Sequence, residues 1–233
     1  MPRTVVLLVL ALSTATVMLA QQASSGSPAA GQGGDQFLDG IGETSLVARY
    51  QFNGTAEDSS RNQLHAKVVG SGAFVEDGSR RVLLLTGDGS YVQLPSTALA
   101  GEDAVAVVGW LSLPTRATGP VFDFGQGPTA RLSGVVDAQG FHASVAVGGK
   151  VRGRTPAKPL VENQWVHFAV VLDPAARVLT AYIDGARAGQ AADVDATPAQ
   201  ILPQASTGNR LFLGRGQEDG APTLHGRLRD VRL

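Results

Sequence analysis

From Phe37 onward, the chain is built from short apolar or alternating segments that are separated by Gly, Asp, Asn and Pro. Segments of this length, bounded by turn residues, are typical of β-strands, and no segment shows a convincing helical period. Around a dozen such strands indicate two antiparallel sheets that pack face to face, so the sequence predicts an all-β sandwich. The predicted strands are, in chain order, Leu46–Phe52, His65–Val69, Arg81–Leu85, Tyr91–Leu94, Ala104–Leu113, Val121–Phe124, Ala130–Val136, Phe141–Val147, Trp165–Leu172, Val178–Ile183, Arg187–Ala192, Leu211–Leu213 and Leu224–Leu233.

Two stretches of the sequence define the centre of one sheet. Ala104–Leu113 places apolar residues on both faces, so we expect this strand to lie in the middle of a sheet with cover on each side. Trp165–Leu172 has the same character and is followed by Val178–Ile183 and Arg187–Ala192. The last two segments are separated by an Asp-Gly dipeptide, which is favoured in two-residue type I′ hairpin turns. The sequence thus predicts a three-stranded meander.

The composition excludes several classes of function. The 233 residues include no cysteine, so a disulfide framework, a thiolate nucleophile and a Cys-bearing zinc site are impossible. The formal net charge is −1, so no overall field favours nucleic acid or an anionic membrane. With 29 Gly, 12 Pro and 17% charged residues, the chain has a turn-rich character. We therefore expect no nucleic-acid partner.

The N-terminus predicts export. Arg3 precedes an almost unbroken apolar stretch that ends at Ala20, and polar and small residues follow. This order is typical of a secretory signal peptide, assigned to residues 1–20, and the alternative is an uncleaved membrane anchor. Residues 21–36 are rich in Gly, Ala, Ser and Gln, as in a flexible linker, and the folded domain is expected over residues 37–233. Cleavage would give a periplasmic or extracellular protein without stable membrane insertion.

Six phrases follow one another in an order that points to a single family. They are Leu46–Gly54 followed by Asp58–Asn62 and His65–Ala66, then Tyr91–Leu94, Val108–Trp110, Trp165–Asp173, Tyr182–Gly185, and the closing pair Leu213–Gly214 with Gly226–Leu233. Together they resemble the laminin-G-like jelly-roll domains of the concanavalin A-like lectin/glucanase superfamily. The resemblance covers residues 46–233 and implies a two-sheet antiparallel jelly-roll sandwich of the concanavalin A-like type. It implies a fold and not an activity, because one fold hosts many functions.

The same resemblance bears on the end of the chain. Family members usually continue past the last strand with a tyrosine and a short segment, whereas this chain stops at Leu233. Either the domain is cut there or the chain is part of a longer protein. Because bacterial domains of this kind often precede or follow glycoside hydrolase modules, the resemblance leaves open a larger secreted enzyme.

Catalysis is testable from the positions of the acidic residues. The same sandwich hosts β-glucanases, whose strands carry carboxylates on one face, and retaining hydrolysis needs two of them about 5–5.5 Å apart. The chain has six glutamates, each at a predicted turn or loop: Glu43, Glu57, Glu76, Glu102, Glu162 and Glu218. The four histidines lack metal-ligand spacing: His65, His142, His167 and His225. The sequence predicts no catalytic residues, and the chain itself is not expected to be an enzyme.

The resemblance implies one structural Ca²⁺ near the rim of the sandwich. Asp58 and Asp230 match the positions of carboxylate ligands in such domains. Backbone carbonyls around residues 49–53 and water would complete the six to eight oxygens that calcium takes. The alternative is purely structural, in that Asp58 caps a turn through its side chain and Asp230 pairs with a nearby arginine.

Two further features concern a ligand. The basic segment Lys150–Lys158 is suited either to sulfated or acidic glycans or to a solvated sheet edge. Trp110 and Trp165 match core positions of the family. Three aromatic residues are left as exposed platforms for stacking on sugars: Tyr91, Phe141 and Phe74. The sequence identifies no ligand-binding residue.

These observations predict a non-catalytic exported binding module, with carbohydrate as the expected ligand. One alternative is an N-terminal accessory domain of a larger secreted glycoside hydrolase. Another is a domain for protein–protein interaction, or a spacer. The expected partner is a glycan or an exported protein.

Overall fold

The predicted two-sheet architecture is confirmed by the computed structural model, which describes residues 45–233. Fifteen strands and one short helix of this region form two antiparallel sheets in a jelly-roll sandwich. The predicted signal peptide and linker, and the predicted start of the domain at Phe37, lie outside the described residues and stay predictions. No helix within residues 45–233 is long and apolar enough to cross a lipid bilayer.

The strands are mostly short, and Gly-rich or Asp-rich turns separate them. In chain order the elements are β1 (Arg49–Tyr50), β2 (Lys67–Val69), β3 (Ala73–Asp77), β4 (Arg80–Thr86), β5 (Tyr91–Leu94), β6 (Val105–Ser112), β7 (Gly119–Gly127), β8 (Ala130–Asp137), β9 (Gly140–Val147), β10 (Lys150–Arg154), β11 (Trp165–Asp173), β12 (Val178–Ile183), β13 (Ala186–Ala191), α1 (Pro198–Ile201), β14 (Arg210–Leu213) and β15 (His225–Arg232).

The chain passes repeatedly between the two sheets. The larger sheet has eight strands, in the order β13-β12-β11-β6-β15-β4-β3, with β1 paired to β15. The smaller sheet has seven strands, in the order β10-β9-β8-β7-β14-β5-β2. β15 lies between β6 and β4 and pairs antiparallel with both. Neighbours that are distant in sequence are the mark of a jelly roll rather than of a simple meander.

The core lies between the sheets and follows from alternation along each strand. On β11, Val166, Phe168 and every second residue to Leu172 are buried, while the residues between them are half-buried. The Phe168 ring lies 6.5 Å from the Phe122 ring and 5.7 Å from the Phe141 ring, which belong to the opposite sheet. Because side chains alternate between the two faces of a strand, each sheet contributes one face to this core.

The predicted meander is confirmed. β12 pairs with β11 on one side and with β13 on the other. Ile183 pairs with Ala186, so Asp184 and Gly185 alone form the turn between β12 and β13. Their φ angles of 50° and 78° lie in the left-handed region that a type I′ turn requires at both central positions.

Three elements of the structure, two strands and one helix, were not predicted from the sequence. β3 and β10 are edge strands with several exposed residues, so their apolar alternation is weak. Glu76 lies in β3, and the prediction that every glutamate lies in a turn or loop is wrong at this position. α1 is a single turn, and Thr197 and Gln200 form a capping box at its start. One turn is too short to produce a helical period.

The prediction of cover on both faces of β6 is wrong. β6 does lie in the middle of its sheet, with Val107 and Leu111 buried in the core. On the outer face, however, Ala106 is exposed and Trp110 is half-buried. Trp165 of β11 is half-buried on the same outer face, so the assignment of both tryptophans to the core is also wrong. Among residues 45–233, neighbouring side chains are what shields this surface.

Candidate functional site

A groove lies beside the β8–β9 turn and extends over the outer face of the seven-stranded sheet. It consists of two cavities, one of about 400 Å³ and the other of about 410 Å³. The cavities adjoin, because both are lined by Thr118, Val136, Asp137 and Ala138. We call the two cavities together the β8–β9 groove. Its size lies within the range of about 300–1,000 Å³ that is usual for small-ligand sites.

The first cavity lies over β7 and β8. Phe122 and Phe124 of β7 are buried in the core, so alternation places Asp123 on the outer face of the sheet. Asp123 is only 2% exposed. Its Oδ2 accepts hydrogen bonds from Nη1 of Arg131 at 3.2 Å and from the backbone N–H of Gln217 at 3.3 Å. Its Oδ1 has no hydrogen-bond partner within the described region.

The environment of Asp123 shifts its proton equilibrium. Burial raises the pKa of this carboxyl to about 7, although Arg131 and the amide of Gln217 act in the opposite direction. A carboxylate that is removed from water loses solvation free energy, and one ion pair at 3.2 Å restores only part of it. Asp123 therefore exchanges its proton near neutral pH.

Arg131 joins the buried carboxylate to an accessible one. Its Nη1 also contacts Oε1 of Glu218 at 3.2 Å, and the Glu218 side chain is 52% exposed. The loop that carries Glu218 is fixed to the sheet by Gln217, whose Nε2 donates to the carbonyl oxygens of Asp123 and Arg210 at 2.9 Å. The cavity thus presents a guanidinium donor and a carboxylate acceptor whose positions are set before any ligand arrives.

Asp137 supplies a second set of charges at the junction of the two cavities. Its Oδ2 accepts a hydrogen bond from Nη2 of Arg154 at 3.2 Å and lies 3.4 Å from Nδ1 of His142. Burial, followed by the charge of Arg154, lowers the pKa of His142. We therefore expect a neutral imidazole at pH 7, with Asp137 and Arg154 as the charged pair at this point of the groove.

The second cavity is mainly apolar. Leu113, Pro159 and Leu160 contribute to its lining, and Val161 is 57% exposed beside them. At its rim, Glu162 accepts a hydrogen bond from the backbone N–H of a neighbouring loop at 3.0 Å. The β8–β9 groove therefore combines a charged half with an apolar half.

The residues of this groove are not recognisable from the sequence alone. One signal was present, since Asp123 is a lone acid between two phenylalanines in an apolar strand. Glu218 does lie in a loop and is exposed, as predicted, but it also lines the first cavity and contacts Arg131. No local pattern reveals that contact, because residues 131 and 218 are far apart in sequence.

The two predicted calcium ligands lie on either side of Arg49. The Asp58 Oδ1 accepts hydrogen bonds from the backbone N–H groups of Arg49 and Ser60, both at 2.8 Å. Its Oδ2 accepts from Oγ of Ser60 at 2.7 Å and from the backbone N–H of Leu64 at 2.9 Å. Burial alone would raise the pKa of Asp58, but these hydrogen bonds hold it below the usual value.

Asp230 is held by two arginines. Its Oδ1 lies 2.8 Å from Nε of Arg49, and its Oδ2 lies 2.9 Å from Nη2 of Arg232. No group of three or more acidic or histidine side chains that could hold a metal exists within residues 45–233. Because both oxygens of Asp58 and Asp230 face N–H or O–H donors, the side chains as arranged do not fit Ca²⁺. The calcium site stays a prediction.

The predicted aromatic platforms lie in different surroundings. Phe141 is fully buried in the core, so its prediction as an exposed platform is wrong. Phe74 is half-buried and packs against the core. Tyr91 is half-buried under the guanidinium of Arg215, whose central carbon lies 4.9 Å from the ring centroid. Arg215 therefore covers one face of the Tyr91 ring, which is the kind of surface on which a sugar stacks.

The basic segment Lys150–Lys158 lies at one edge of the seven-stranded sheet. β10 pairs with β9 only, and four of its five residues are exposed. This position agrees with the solvated-edge interpretation of the segment.

These features define a class of protein, the two-sheet jelly-roll domains with a groove on one outer face. The Laminin_G_3 family model, described as the concanavalin A-like lectin/glucanases superfamily, matches residues 86–233. The chain belongs to this family, as its resemblance to laminin-G-like domains implied. No curated protein sequence matches the chain.

Several solved structures share the fold. Domain 4 of AbnA, a GH43 extracellular arabinanase from Geobacillus stearothermophilus in complex with arabinotriose, has 19% identity and a TM-score of 0.61 over 80% of this chain and 90% of that one. The binding domain of botulinum neurotoxin serotype C1 has 11% identity and a TM-score of 0.59. The binding domain of Paraclostridial Mosquitocidal Protein 1 has 11% identity and a TM-score of 0.57. Each of the two toxin matches covers 80% of this chain but only 48% of the toxin domain. Identities this low show the fold alone.

Proposed function

We propose that this chain is a non-catalytic, exported binding module for carbohydrate, and that the glycan lies in the β8–β9 groove. The observation that carries the proposal is the fixed pair of Arg131 and Glu218 in a groove that also has an apolar half. The likeness of the fold to an arabinanase domain in complex with arabinotriose supports carbohydrate as the ligand class.

The groove offers the groups that a sugar needs. Each sugar hydroxyl both donates and accepts a hydrogen bond, so a guanidinium beside a carboxylate satisfies both functions, and charged partners make these bonds stronger. Ser133 adds a hydroxyl to the same cavity. Pro120 and Pro222 line the cavity as well and offer apolar surface to the C–H faces of the ring.

The proposal assigns no reaction to the groove. Hydrolysis by the usual mechanism needs two carboxyl groups beside the glycosidic bond. Arg131 contacts two carboxylates, those of Asp123 and Glu218. Asp123 is 2% exposed and its Oδ2 accepts hydrogen bonds from Arg131 and Gln217, so of these two carboxylates Glu218 is the accessible one. We assign Asp123 a positioning role, in that it holds Arg131.

The test is a binding measurement on the full chain with a panel of neutral oligosaccharides that includes arabinotriose. We expect Glu218→Gln to weaken glycan binding about tenfold, because it removes a charged acceptor that is half-exposed and not needed for folding. Asp219→Asn is the matched control, since it removes the neighbouring carboxylate of the same loop outside the groove. No binding across the panel, or equal affinity for Glu218→Gln and the wild type, would contradict the proposal. Release of reducing sugar would contradict the non-catalytic assignment.

Two other functions keep support from the sequence. An accessory role in a larger secreted glycoside hydrolase requires a catalytic domain in the same reading frame, which sequencing downstream of the codon for Leu233 tests. If the chain has a protein-binding or spacer role, we expect no binding to any glycan of the panel. The apolar cavity around Val161 would then be the surface to test for protein binding.

The Ca²⁺ site that the family resemblance implies is tested separately. Calorimetric titration of Ca²⁺ into the chain would support the site if it releases heat that is lost in Asp58→Ala. Because the carboxylates of Asp58 and Asp230 are occupied by hydrogen-bond donors, we expect no heat from the wild type.

A further inference from the structure

A second cavity system lies on the opposite sheet, at the corner where β1, β4 and β15 meet. This cavity, of about 380 Å³, is lined by four arginines: Arg49, Arg80, Arg81 and Arg229. The other lining residues are polar: Gln51, Asn53, Ser79 and Asp230. We call it the arginine cavity. Asp230 is the one acidic residue among these lining residues, and it is already bracketed by Arg49 and Arg232.

Local backbone geometry brings the arginines together. The register of β15 shifts against β6 between Arg229 and Arg232, and Asp230 has a φ of 45°. Such a bulge turns additional side chains toward the outer face. On the other side of the cavity, the turn between β3 and β4 contains Gly78 with a φ of 66°. Arg80 is the first residue after this turn. The cavity therefore results from a bulge and a tight turn that meet.

Arg229 packs on two indole rings and forms no ion pair with a carboxylate of residues 45–233. Its guanidinium carbon lies 4.3 Å from the ring centroid of Trp165 and 5.0 Å from that of Trp110. Trp165 is fixed in turn by a hydrogen bond of 2.7 Å from its Nε1 to Oδ2 of Asp77. Burial, followed by the charge of Arg80, lowers the pKa of Arg229, as expected where cations are crowded. Stacking of this kind leaves the edge N–H groups of a guanidinium for other partners.

Arg80 is the second guanidinium with donors to offer. Its side chain is exposed and makes no hydrogen bond or ion pair to any residue from 45 to 233. Arg81, by contrast, donates to the carbonyl of Phe74 and lies 3.5 Å from Glu76. Two guanidinium groups thus converge on one cavity without an ion pair to either of them within residues 45–233, while Asp77 and Asp230 act on Arg229 from a longer distance.

We propose that the arginine cavity binds the oxyanion group of an acidic saccharide, a carboxylate or a sulfate ester. Guanidinium groups recognise such groups through paired N–H donors in a fixed fork. Gln51, Asn53 and Ser79 line the same cavity and supply the neutral hydrogen-bonding groups that sugar hydroxyls require. The volume exceeds what a single anion needs and reaches the lower end of the range for small-ligand sites. This site does not depend on the β8–β9 groove.

The test is a titration of the full chain with four probes: a galacturonic acid trimer, a sulfated disaccharide, inorganic phosphate and neutral arabinotriose. We expect the acidic saccharides to bind and Arg80→Gln to lower their affinity about 5-fold to 20-fold. Arg229→Lys should produce a similar loss, although it keeps the charge, because lysine lacks the planar fork. Arg177→Gln is the matched control, since it removes an exposed arginine from the turn between β11 and β12, outside the arginine cavity.

The outcomes separate the explanations. Equal losses in Arg80→Gln and Arg177→Gln would show a general effect of net charge and would overturn the site. Unchanged affinity in Arg229→Lys would do the same. Binding of phosphate without binding of either acidic saccharide would overturn the assignment of the saccharide. Loss of arabinotriose binding in Glu218→Gln with intact uronate binding would confirm that the two sites are separate.

Discussion

The outer faces of the two sheets differ although one core supports both. On the seven-stranded sheet, the β8–β9 groove pairs its charges: Arg131 lies between Asp123 and Glu218, and Arg154 lies beside Asp137. On the eight-stranded sheet, the arginine cavity is lined by four positively charged side chains, and Arg229 packs on two indole rings instead of a carboxylate. The two faces therefore carry different arrangements of charge, although the formal net charge of the chain is only −1.

The largest change should come from the core that the two faces share. Phe168→Ala removes a fully buried ring that contacts Phe122 and Phe141 across the sandwich, and we expect a loss of about 3–5 kcal/mol in the free energy of unfolding. Chemical denaturation measures it. Phe74→Ala, at a half-buried edge position, should cost clearly less. If Phe168→Ala abolished glycan binding at one face and not at the other, this would contradict the view that one core stabilises both faces.

A change near the arginine cavity should act on one face. Asp58→Ala leaves three backbone N–H groups and the Ser60 hydroxyl without their acceptor, so we expect a loss of about 2–3 kcal/mol in stability. Hydrogen exchange should increase in β1 and in the turn around Ser60, and not around β8. Asp88→Ala serves as the control, because Asp88 is hydrogen-bonded but exposed. Equal effects of the two substitutions would rule out a special role for Asp58.

The pH dependence of stability should distinguish the groove. The folded pKa of Asp123 is about 7 and the unfolded value is 3.8, so the folded protein holds a proton that the unfolded chain releases. The contribution of this group to stability is fully present below pH 4 and is lost as the pH rises to about 7. Asp123→Asn should remove this slope and increase stability at pH 8 by about 1–2 kcal/mol. Parallel curves for the variant and the wild type between pH 4 and 8 would contradict the assignment.

The smallest effect should come from Trp165→Phe. This change removes the hydrogen bond to Asp77 and part of the ring surface under Arg229, so we expect a loss of about 0.5–1.5 kcal/mol. A weaker affinity for the uronate probe, with unchanged binding at the groove, would sharpen the contrast between the faces. An unchanged affinity for that probe would show that Arg229 is positioned without Trp165.

Most of the sandwich was predictable because apolar alternation depends on residues that are close in sequence. The meander from Trp165 to Ala191 follows from its buried strands and its Asp-Gly turn, and the structure confirms it. The edge strands were missed because β3 and β10 bury little. The error over Trp110 arose because a large aromatic on a central strand can be covered by a neighbouring arginine instead of a second layer.

The sites were less predictable for a different physical reason. Each depends on side chains that only the register of distant strands brings together, such as Arg80 with Arg229, or Arg131 with Glu218. The bulge in β15 has no sequence signature, since Asp230 replaces the glycine that a left-handed φ usually favours. Asp58 and Asp230 show a related limit. Both match the positions of calcium ligands in the family, but this match did not reveal the hydrogen-bond donors and arginines that hold their carboxylates.

The central position of β15 has a consequence for how the chain reaches its folded state. The strands β13, β12, β11 and β6 form one half of the larger sheet, β4 and β3 form the other, and β15 joins them. β4 and β15 are separated by most of the described chain, so the closing contact carries a large loop entropy. Folding should therefore be slow, on the order of milliseconds to seconds. During synthesis, the two halves of this sheet would wait as open edges until residues 225–232 leave the ribosome.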